Sequence, residues 1–391
     1  MQVLRRVLIL ASIALLAGCG AGAHTGTLVP DARTPNDSLS AMPGDSLSAM
    51  PGDSLSAMPG ASLACDWNFL LAGANCSVAI NTNVPPISDA TTPANLLGGL
   101  HPSDIQNTYH LPSANAGGTV AIVDAYDDPN AESDLAVYRT AFGLPACTSL
   151  NGCFRKVNQS GQAGSYPAAS LPWSTEIALD VDMVSAVCPK CNILLVEANS
   201  DSFDDLGASV DTAASMGAVA ISNSYYGPEW SGETGEDAHY NHPGIAVTVS
   251  AGDEASPFYP AASPYVTSVG GTTLSNGTES AWQYGARGCS KYEAKPKWQG
   301  NTSCKSRSIV DIAAVADPQT GVTMYDSTAG GWVVAGGTSA GAPIVAAAYA
   351  LSSNPQGPGY SYDHASSFND VAPAGYDLVT GLGSPNGVGG L

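Results

Sequence analysis

Gly118-Thr119-Val120-Ala121-Ile122-Val123-Asp124 is a continuous apolar run that ends in an acid. A run of this kind, rich in β-branched residues, predicts a parallel strand that is buried on both faces. Similar runs follow at 192–197, 218–222, 244–250 and 265–269. Helical patterns separate several of them, at 132–142, 173–187 and 204–216. The alternation predicts an α/β fold in which helices cover both faces of a parallel sheet.

In folds of this kind, functional sites lie at the carboxyl ends of the strands. A serine-containing turn directly follows another apolar run of this chain. Gly336-Gly337-Thr338-Ser339 stands between the run 331–335 and an Ala-rich helical stretch, 344–350. A serine in a glycine turn ahead of a helix presents its hydroxyl beside unpaired N–H groups, as a nucleophile requires. The same string also fits a helix N-cap. The residues available to act with Ser339 must decide whether it is a nucleophile or part of a helix N-cap.

Histidine does not supply an obvious base for this serine. The six histidines are His24, His101, His110, His239, His242 and His364. None stands in a sequence setting typical of a catalytic triad. A histidine-based triad with Asp124 as its acid would need a histidine on a buried helix, and the sequence has no good candidate. If Ser339 is a nucleophile, we therefore expect a carboxylate base.

Three carboxylates are candidates for that chemistry. Glu176 and Asp180 lie four residues apart in the helical pattern 173–187, with Ser174 or Thr175 as the expected N-cap, so they share one helix face. If that face is buried, at least one of the two holds a proton; the alternative is a solvated acidic face. Asp253 follows a strand and a small-residue turn. Protonated, it could donate to an oxyanion, although an Asx-turn or N-cap also fits.

Four motifs, taken together and in order, resemble the sedolisins, the serine-carboxyl peptidases. They are Glu176-xxx-Asp180, Ser250-Ala251-Gly252-Asp253, Gly337-Thr338-Ser339-xxx-Pro343 and the tail 375–385. The resemblance covers roughly His101 to the C-terminus. It implies a subtilisin-like fold in a single catalytic domain and endopeptidase activity in acid. The chain departs from the family at Glu254-Ala255, where relatives commonly have Ser-Gly.

The resemblance also implies roles for individual residues. Ser339 would be the nucleophile, Glu176 the base, Asp180 its orienting acid and Asp253 the oxyanion donor. Asp124 would be an accessory acid, and Tyr225 would stand near a substrate-binding position.

Calcium binding near the C-terminus is implied as well. The matching residues are Asp370, Val371, Gly375 and Asp377. Oxygen ligands suit this hard cation. The loop between Asp370 and Asp377 is shorter than in relatives, and one carbonyl ligand would fall near Pro373.

The first residues predict export. A basic pair, Arg5-Arg6, precedes an apolar stretch too short to span a bilayer, and Leu16-Ala17-Gly18-Cys19 resembles a bacterial lipoprotein processing box. An ordinary secretory signal is the alternative. We therefore expect a bacterial cell-envelope lipoprotein, anchored through Cys19 or released outside the cell.

The predicted organisation is a signal peptide at 1–18, a disordered stalk at 19–63, a short extension at 64–104 and the peptidase domain at 105–391. The stalk contains three copies of an Asp-Ser-Leu-Ser-Ala-Met-Pro-Gly octapeptide. The extension is too short for the large pro-domain of sedolisins, which leaves a catalytically inactive, peptidase-like binding lipoprotein as the alternative function.

Composition limits the partners. Eight cysteines beyond Cys19 fall into close pairs, which predicts four disulfides in an exported chain: Cys65/Cys76, Cys147/Cys153, Cys188/Cys191 and Cys289/Cys304. The CxxC pair at 188–191 could instead be a redox or zinc half-site.

A net charge of −21 argues against a nucleic-acid partner. We expect a monomer acting on proteins or peptides.

Overall fold

The structure is a computed structural model that describes residues 58–65, 73–112, 117–300, 302–352, 357–371 and 375–391. All of them belong to one structural unit, Pro51–Leu391. The predicted signal peptide, Cys19 and most of the octapeptide stalk lie outside the described residues.

The described ranges contain six α-helices and nineteen β-strands. The helices are α1 (Pro102–Thr108), α2 (Ala131–Ala141), α3 (Leu171–Val187), α4 (Phe203–Ser215), α5 (Thr338–Leu351) and α6 (Pro358–Asp363). The first strands are β1 (Ala61–Leu63), β2 (Asn75–Cys76), β3 (Ala79–Asn81), β4 (Thr119–Ala125), β5 (Phe154–Asn158), β6 (Asn192–Ala198), β7 (Ala220–Asn223), β8 (Tyr225–Pro228) and β9 (Ala246–Ser250). The others are β10 (Phe258–Tyr259), β11 (Thr267–Ser275), β12 (Thr278–Ala281), β13 (Cys289–Ala294), β14 (Ser306–Ser308), β15 (Ile312–Val315), β16 (Val322–Asp326), β17 (Gly331–Gly336), β18 (Phe368–Asn369) and β19 (Ser384–Pro385).

The main sheet has the order β12-β11-β9-β7-β4-β6-β5, and β15 pairs in parallel with β11. Every pairing in it is parallel except that of the edge strand β12. The predicted apolar runs form β4, β6, β7, β9 and β11. The expected α/β fold with a parallel sheet is confirmed, with β12 as an antiparallel addition at its edge.

Successive residues of these strands point to two different cores, which explains why the runs are mostly apolar and do not alternate with polar residues. On β4, Val120 and Ile122 pack in the core that contains α2, α3 and α5. Ala121 and Val123 pack in the opposite core, beneath α4. Helices therefore cover both faces, as predicted.

The extension is part of the same fold. β3 lies between β1 and β17 in an antiparallel sheet of order β1-β3-β17-β16. β2 pairs with β8. The boundary predicted at 63/64 needs correction, because Met58 packs against Trp282 and Ala316, and β1 begins at Ala61. The end of the predicted stalk is thus folded, since it provides an apolar anchor and a strand.

All four predicted disulfides are formed: Cys65–Cys76, Cys147–Cys153, Cys188–Cys191 and Cys289–Cys304. The CxxC pair is accordingly a disulfide in this structure. Among the described residues, none of the helices combines the length and apolar content needed to span a bilayer.

Two helices begin earlier than the sequence pattern predicts. α3 starts at Leu171 after Ser170, because Pro172 occupies the first turn, where a missing N–H has no cost. Neither Ser174 nor Thr175 is its N-cap. α5 starts at Thr338 rather than 344 and has Pro343 inside it. Ser339 therefore lies in the first helical turn.

Candidate active site

Ser339 lies where β17 ends and α5 begins, and it is fully buried. The turn depends on Gly337, whose φ of +100° favours glycine. A Cβ at Gly337 would lie 2.5 Å from the Ser77 carbonyl oxygen and 2.7 Å from Asp253 Oδ2. The glycine therefore allows the backbone to approach both groups closely.

Pro343 has a local consequence for Ser339. Proline lacks an N–H, so the Ser339 carbonyl loses the partner that a helix normally provides four residues later. The Ser224 hydroxyl donates to this carbonyl instead, at 3.2 Å. This contact connects the first turn of α5 to the segment between β7 and β8.

Glu176 and Asp180 lie on α3, which packs against α5, and both are fully buried. Glu176 Oε2 accepts the N–H groups of Ser77 at 2.8 Å and Val78 at 3.0 Å. Glu176 Oε1 has no hydrogen-bond partner among the described residues. Burial raises the pKa of Glu176 to about 8, although the Ser339 side chain and the Ser77 N–H group act to lower it.

Asp180 is connected to Glu176 by charge rather than by a hydrogen bond. The Ser224 hydroxyl lies 2.8 Å from each Asp180 carboxyl oxygen, and the Ser222 hydroxyl lies 3.5 Å from Oδ2. Burial, followed by the neighbouring Glu176 charge, raises the pKa of Asp180 well above its usual range. The solvated-face alternative for these two acids is wrong, because neither has exposed surface.

Asp253 faces the nucleophile turn from the end of β9. Its Oδ1 accepts both the N–H and the hydroxyl of Thr338, each at 2.7 Å. Its Oδ2 has no hydrogen-bond partner among the described residues, although the carboxyl is fully buried. Burial raises the pKa of Asp253 to about 7, while the Thr338 hydrogen bonds lower it. A protonated Oδ2 would be a donor directed at the turn.

The two accessory candidates differ in their position. Asp124 is fully buried at the end of β4, and neither of its carboxyl oxygens has a hydrogen-bond partner among the described residues. Burial and the charges of Asp180 and Glu176 raise its pKa well above the usual range. The Tyr225 hydroxyl donates to Asn223 and contacts Tyr240, so the Tyr225 side chain points away from Ser339.

The sequence interpretation missed Ser77. Its hydroxyl lies 2.8 Å from Ser339 Oγ, and Ser77 and Val78 are fully buried. Because these residues belong to the extension, nothing in the local sequence ties them to a turn 262 residues later. Tyr226 was also missed: its hydroxyl accepts the Asp253 N–H at 3.0 Å, so Tyr226, and not Tyr225, directs its side chain towards the site.

The described histidines bond elsewhere. His101 contacts the Leu97 carbonyl, His110 contacts Asn386, and His364 contacts the Tyr360 carbonyl. His239 and His242 both pair with Asp211. None of the hydrogen bonds in the described ranges joins a histidine to Ser339 or Asp124.

The predicted calcium ligands form a turn that bonds to itself. Asp370 Oδ2 accepts the Gly375 N–H at 2.8 Å. Asp377 Oδ1 accepts the N–H groups of Val379 and Thr380, and its Oδ2 accepts the Thr380 hydroxyl. Residues 372–374, which include the doubtful ligand position near Pro373, are outside the described ranges. These oxygen atoms are suitable ligands for calcium, but in this structure the aspartate oxygens accept hydrogen bonds from within the turn.

Comparison with known proteins identifies the family. A model of the subtilase family matches residues 161–366, which is more than half of the chain and includes all four candidate catalytic residues. The chain belongs to the subtilase family. The structural similarity of this subtilase extends to Pseudomonas sedolisin, a serine-carboxyl proteinase solved in complex with two molecules of pseudo-iodotyrostatin. The TM-score is 0.65 at 24% identity, over 74% of this chain and 96% of that one.

Sequence relatives of this subtilase include two named proteins. It is 28% identical over 358 residues to kumamolisin of Bacillus sp. (strain MN-32), and 26% identical over 342 residues to xanthomonalisin of Xanthomonas sp. (strain T-22). The alignments cover 73% and 69% of this chain, but only 62% and 40% of those proteins. The resemblance to the sedolisins predicted from the four motifs is confirmed.

Proposed function

We propose that this subtilase is a serine-carboxyl endopeptidase that hydrolyses peptide bonds in acid. Ser339 is the nucleophile, Glu176 the general base, Asp180 the acid that supports it and Asp253 the oxyanion donor. The main support is a buried serine hydroxyl surrounded by carboxyl groups, with the described histidines bonded elsewhere.

The proposed reaction needs one carboxylate and one carboxylic acid at the same time. Ionised Glu176 takes the Ser339 proton as Oγ attacks the peptide carbonyl, and it later returns that proton to the leaving amine. Protonated Asp253 donates from Oδ2 to the oxygen that gains negative charge. Thr338 positions Asp253 by donating twice to Oδ1. A water molecule then releases the acyl group by the same steps.

In the closed cleft of this structure, burial raises the pKa of Glu176 to about 8 and that of Asp253 to about 7. The raised pKa of Glu176 opposes the ionised state that the general base needs in acid. Burial is the main cause of the raised pKa of Glu176, whereas the N–H groups of Ser77 and Val78 lower it. We infer that residues 75–78, called here the cleft segment, must leave before turnover, because they contact both Ser339 and Glu176. Water then reaches Glu176 and removes part of the burial that raises its pKa.

Proteolysis across pH tests the proposal. The full chain is incubated with an unfolded protein from pH 2.5 to 8, and Ser339→Ala and Glu176→Gln are compared with two controls. Ser209→Ala changes a buried serine on α4, and Asp182→Asn changes a buried acid of α3 that accepts the Tyr325 N–H. Acid cleavage lost only in the first pair supports the mechanism. An optimum above pH 7 contradicts it.

The closed cleft also makes the inactive binding lipoprotein a specific alternative. Cleavage that is absent at every pH, both in the native chain and in a variant without the Cys65–Cys76 disulfide, would favour that alternative. Peptide binding measured by isothermal titration calorimetry would then replace hydrolysis as the activity.

We also propose that calcium binds the C-terminal turn through Asp370, Asp377 and the carbonyls of Val371 and Gly375. The oxygen-only donor set supports this, and no catalytic step depends on it. Binding would require the hydrogen bonds of the two aspartates within the turn to rearrange.

Finally, we propose that the protein is a monomeric cell-envelope lipoprotein, anchored through Cys19 or released. Its four disulfides are consistent with an oxidising compartment. Metabolic labelling with an alkynyl fatty acid tests this: label in the native chain and none in Cys19→Ser supports the anchor. Labelling of both chains would refute it.

A further inference from the structure

The cleft segment crosses the site as an added strand. Asn75 pairs with Tyr226 and Cys76 with Tyr225 in an antiparallel ladder. Beyond it, Ala79 and Ile80 pair with Gly336 and Ala335 of β17. The chain is therefore held by main-chain hydrogen bonding on both sides of Ser339. Strand addition of this kind is how extended peptides bind to exposed strand edges.

Within this strand, the Ser77–Val78 peptide unit lies between Glu176 and the nucleophile turn. The Val78 nitrogen is 3.0 Å from Glu176 Oε2, where a leaving amine would receive a proton. The Ser77 carbonyl oxygen lies beside Gly337, on the same side as Asp253 Oδ2. The Ser77 side chain reaches the nucleophile, with its Oγ 2.8 Å from Ser339 Oγ. If the cleft segment occupies the site as a substrate does, position 77 corresponds to the residue on the acyl side of a scissile bond.

Tyr226 lies next to the side chain at this acyl position. Its ring centroid lies 4.7 Å from that of Phe258, and its Cδ2 would lie 3.3 Å from a Cβ placed on Gly252. Its hydroxyl accepts the Asp253 N–H and also interacts with the Ser77 side chain. Tyr226 is fully buried. Packed on one side and hydrogen-bonded at its tip, the ring cannot swing away without breaking these contacts.

We propose that Tyr226 is a specificity-determining residue that restricts cleavage to bonds following a small residue, such as glycine, alanine or serine. The inference rests on the proposed peptidase function and defines its substrate class. Ser77 is the example of a side chain that this position accepts. A phenylalanine or leucine there would overlap the Tyr226 ring or displace it from Asp253.

Two peptides test the inference. They are identical except for alanine or phenylalanine on the acyl side of one bond, and mass spectrometry of the products identifies the cut. The full chain is used, alone and with Cys65→Ser/Cys76→Ser to release the cleft segment. We expect kcat/KM to favour the alanine peptide by at least about tenfold. Tyr226→Ala should reduce that preference by about tenfold, whereas Tyr226→Phe, which keeps the ring, should retain it.

The outcomes separate the two proposals. Equal cleavage of both peptides by the wild-type chain, or an unchanged preference in a folded Tyr226→Ala, overturns the specificity inference and leaves the peptidase proposal standing. Cleavage of neither peptide in either background overturns both. If Tyr226→Ala does not fold, the other two proteins still test the inference. A preference for the alanine peptide that is present in the wild-type chain and retained in Tyr226→Phe supports it. A preference lost in Tyr226→Phe would refute a steric cause.

Discussion

Removing the Cys65–Cys76 disulfide should activate the enzyme, because this bond ties the cleft segment to the rest of the extension. Cys76 belongs to β2 and directly precedes Ser77, whose hydroxyl contacts Ser339. The variant Cys65→Ser/Cys76→Ser leaves every catalytic side chain unchanged. It removes only the restraint on the segment that covers the catalytic side chains.

The magnitude follows from the length of the closed loop. The two cysteines are 11 residues apart, and a cross-link of that span costs an opened chain about 3 kcal/mol of conformational entropy. Since about 1.4 kcal/mol corresponds to a factor of ten, the population with an open cleft rises by up to about 100-fold. The pairings of β2 with β8 and of β3 with β17 remain, so the segment still closes the cleft for part of the time.

The assay is the initial rate of peptide hydrolysis at pH 4 with substrate well below KM. The matched control is Cys147→Ser/Cys153→Ser, which removes a disulfide with a span of 6 residues between α2 and β5. We expect an increase of about 10- to 100-fold in the first variant and little change in the control. Equal rates in all three proteins, each folded by circular dichroism, would refute the reasoning that the cleft segment blocks turnover.

Three further predictions concern stability, the oxyanion donor and the cation. The free energy of unfolding should fall as the pH rises from about 4 to 8, because burial raises the pKa of Asp128 to about 7 and of Glu197 to about 8, so the folded state holds these protons more tightly than the unfolded chain. Urea titrations at pH 4, 6 and 8 measure this, and a constant or rising stability contradicts it. Asp253→Ala should lower kcat by about 10²- to 10³-fold, whereas Asp253→Asn, which keeps a donor, should retain more activity at pH 7 to 8. Equal kcat losses would argue against an oxyanion donor. Calcium should raise the melting temperature relative to chelator in the native chain but not in Asp377→Ala, and equal temperatures in the native chain would contradict calcium binding.

Much of the fold was predictable because its signals are local. The runs that became β4, β6, β7 and β9 are mostly apolar, since their apolar residues face one of two cores. The pairing of Glu176 with Asp180 on one face also follows from helical spacing alone. Cysteine spacing predicted all four disulfides for the same reason.

The errors arose where distant segments meet. Ser77 reaches Ser339 only because β3 inserts between β1 and β17. Tyr225 and Tyr226 are equally aromatic, and the alternation of side chains along β8 decides which of them faces Asp253. The starts of α3 and α5 were misplaced, because proline and tertiary packing replaced the expected capping residues.

The sheet, the helix with its two acids and the serine turn follow from local sequence patterns, because hydrophobic periodicity and glycine geometry act over a few residues. Which of these groups are buried together, and what covers them, depends on contacts between distant segments. Burial removes water from Glu176, Asp180 and Asp253 and so raises all three pKa values. That electrostatic effect depends on the whole fold, including the cleft segment, and no local pattern contains it.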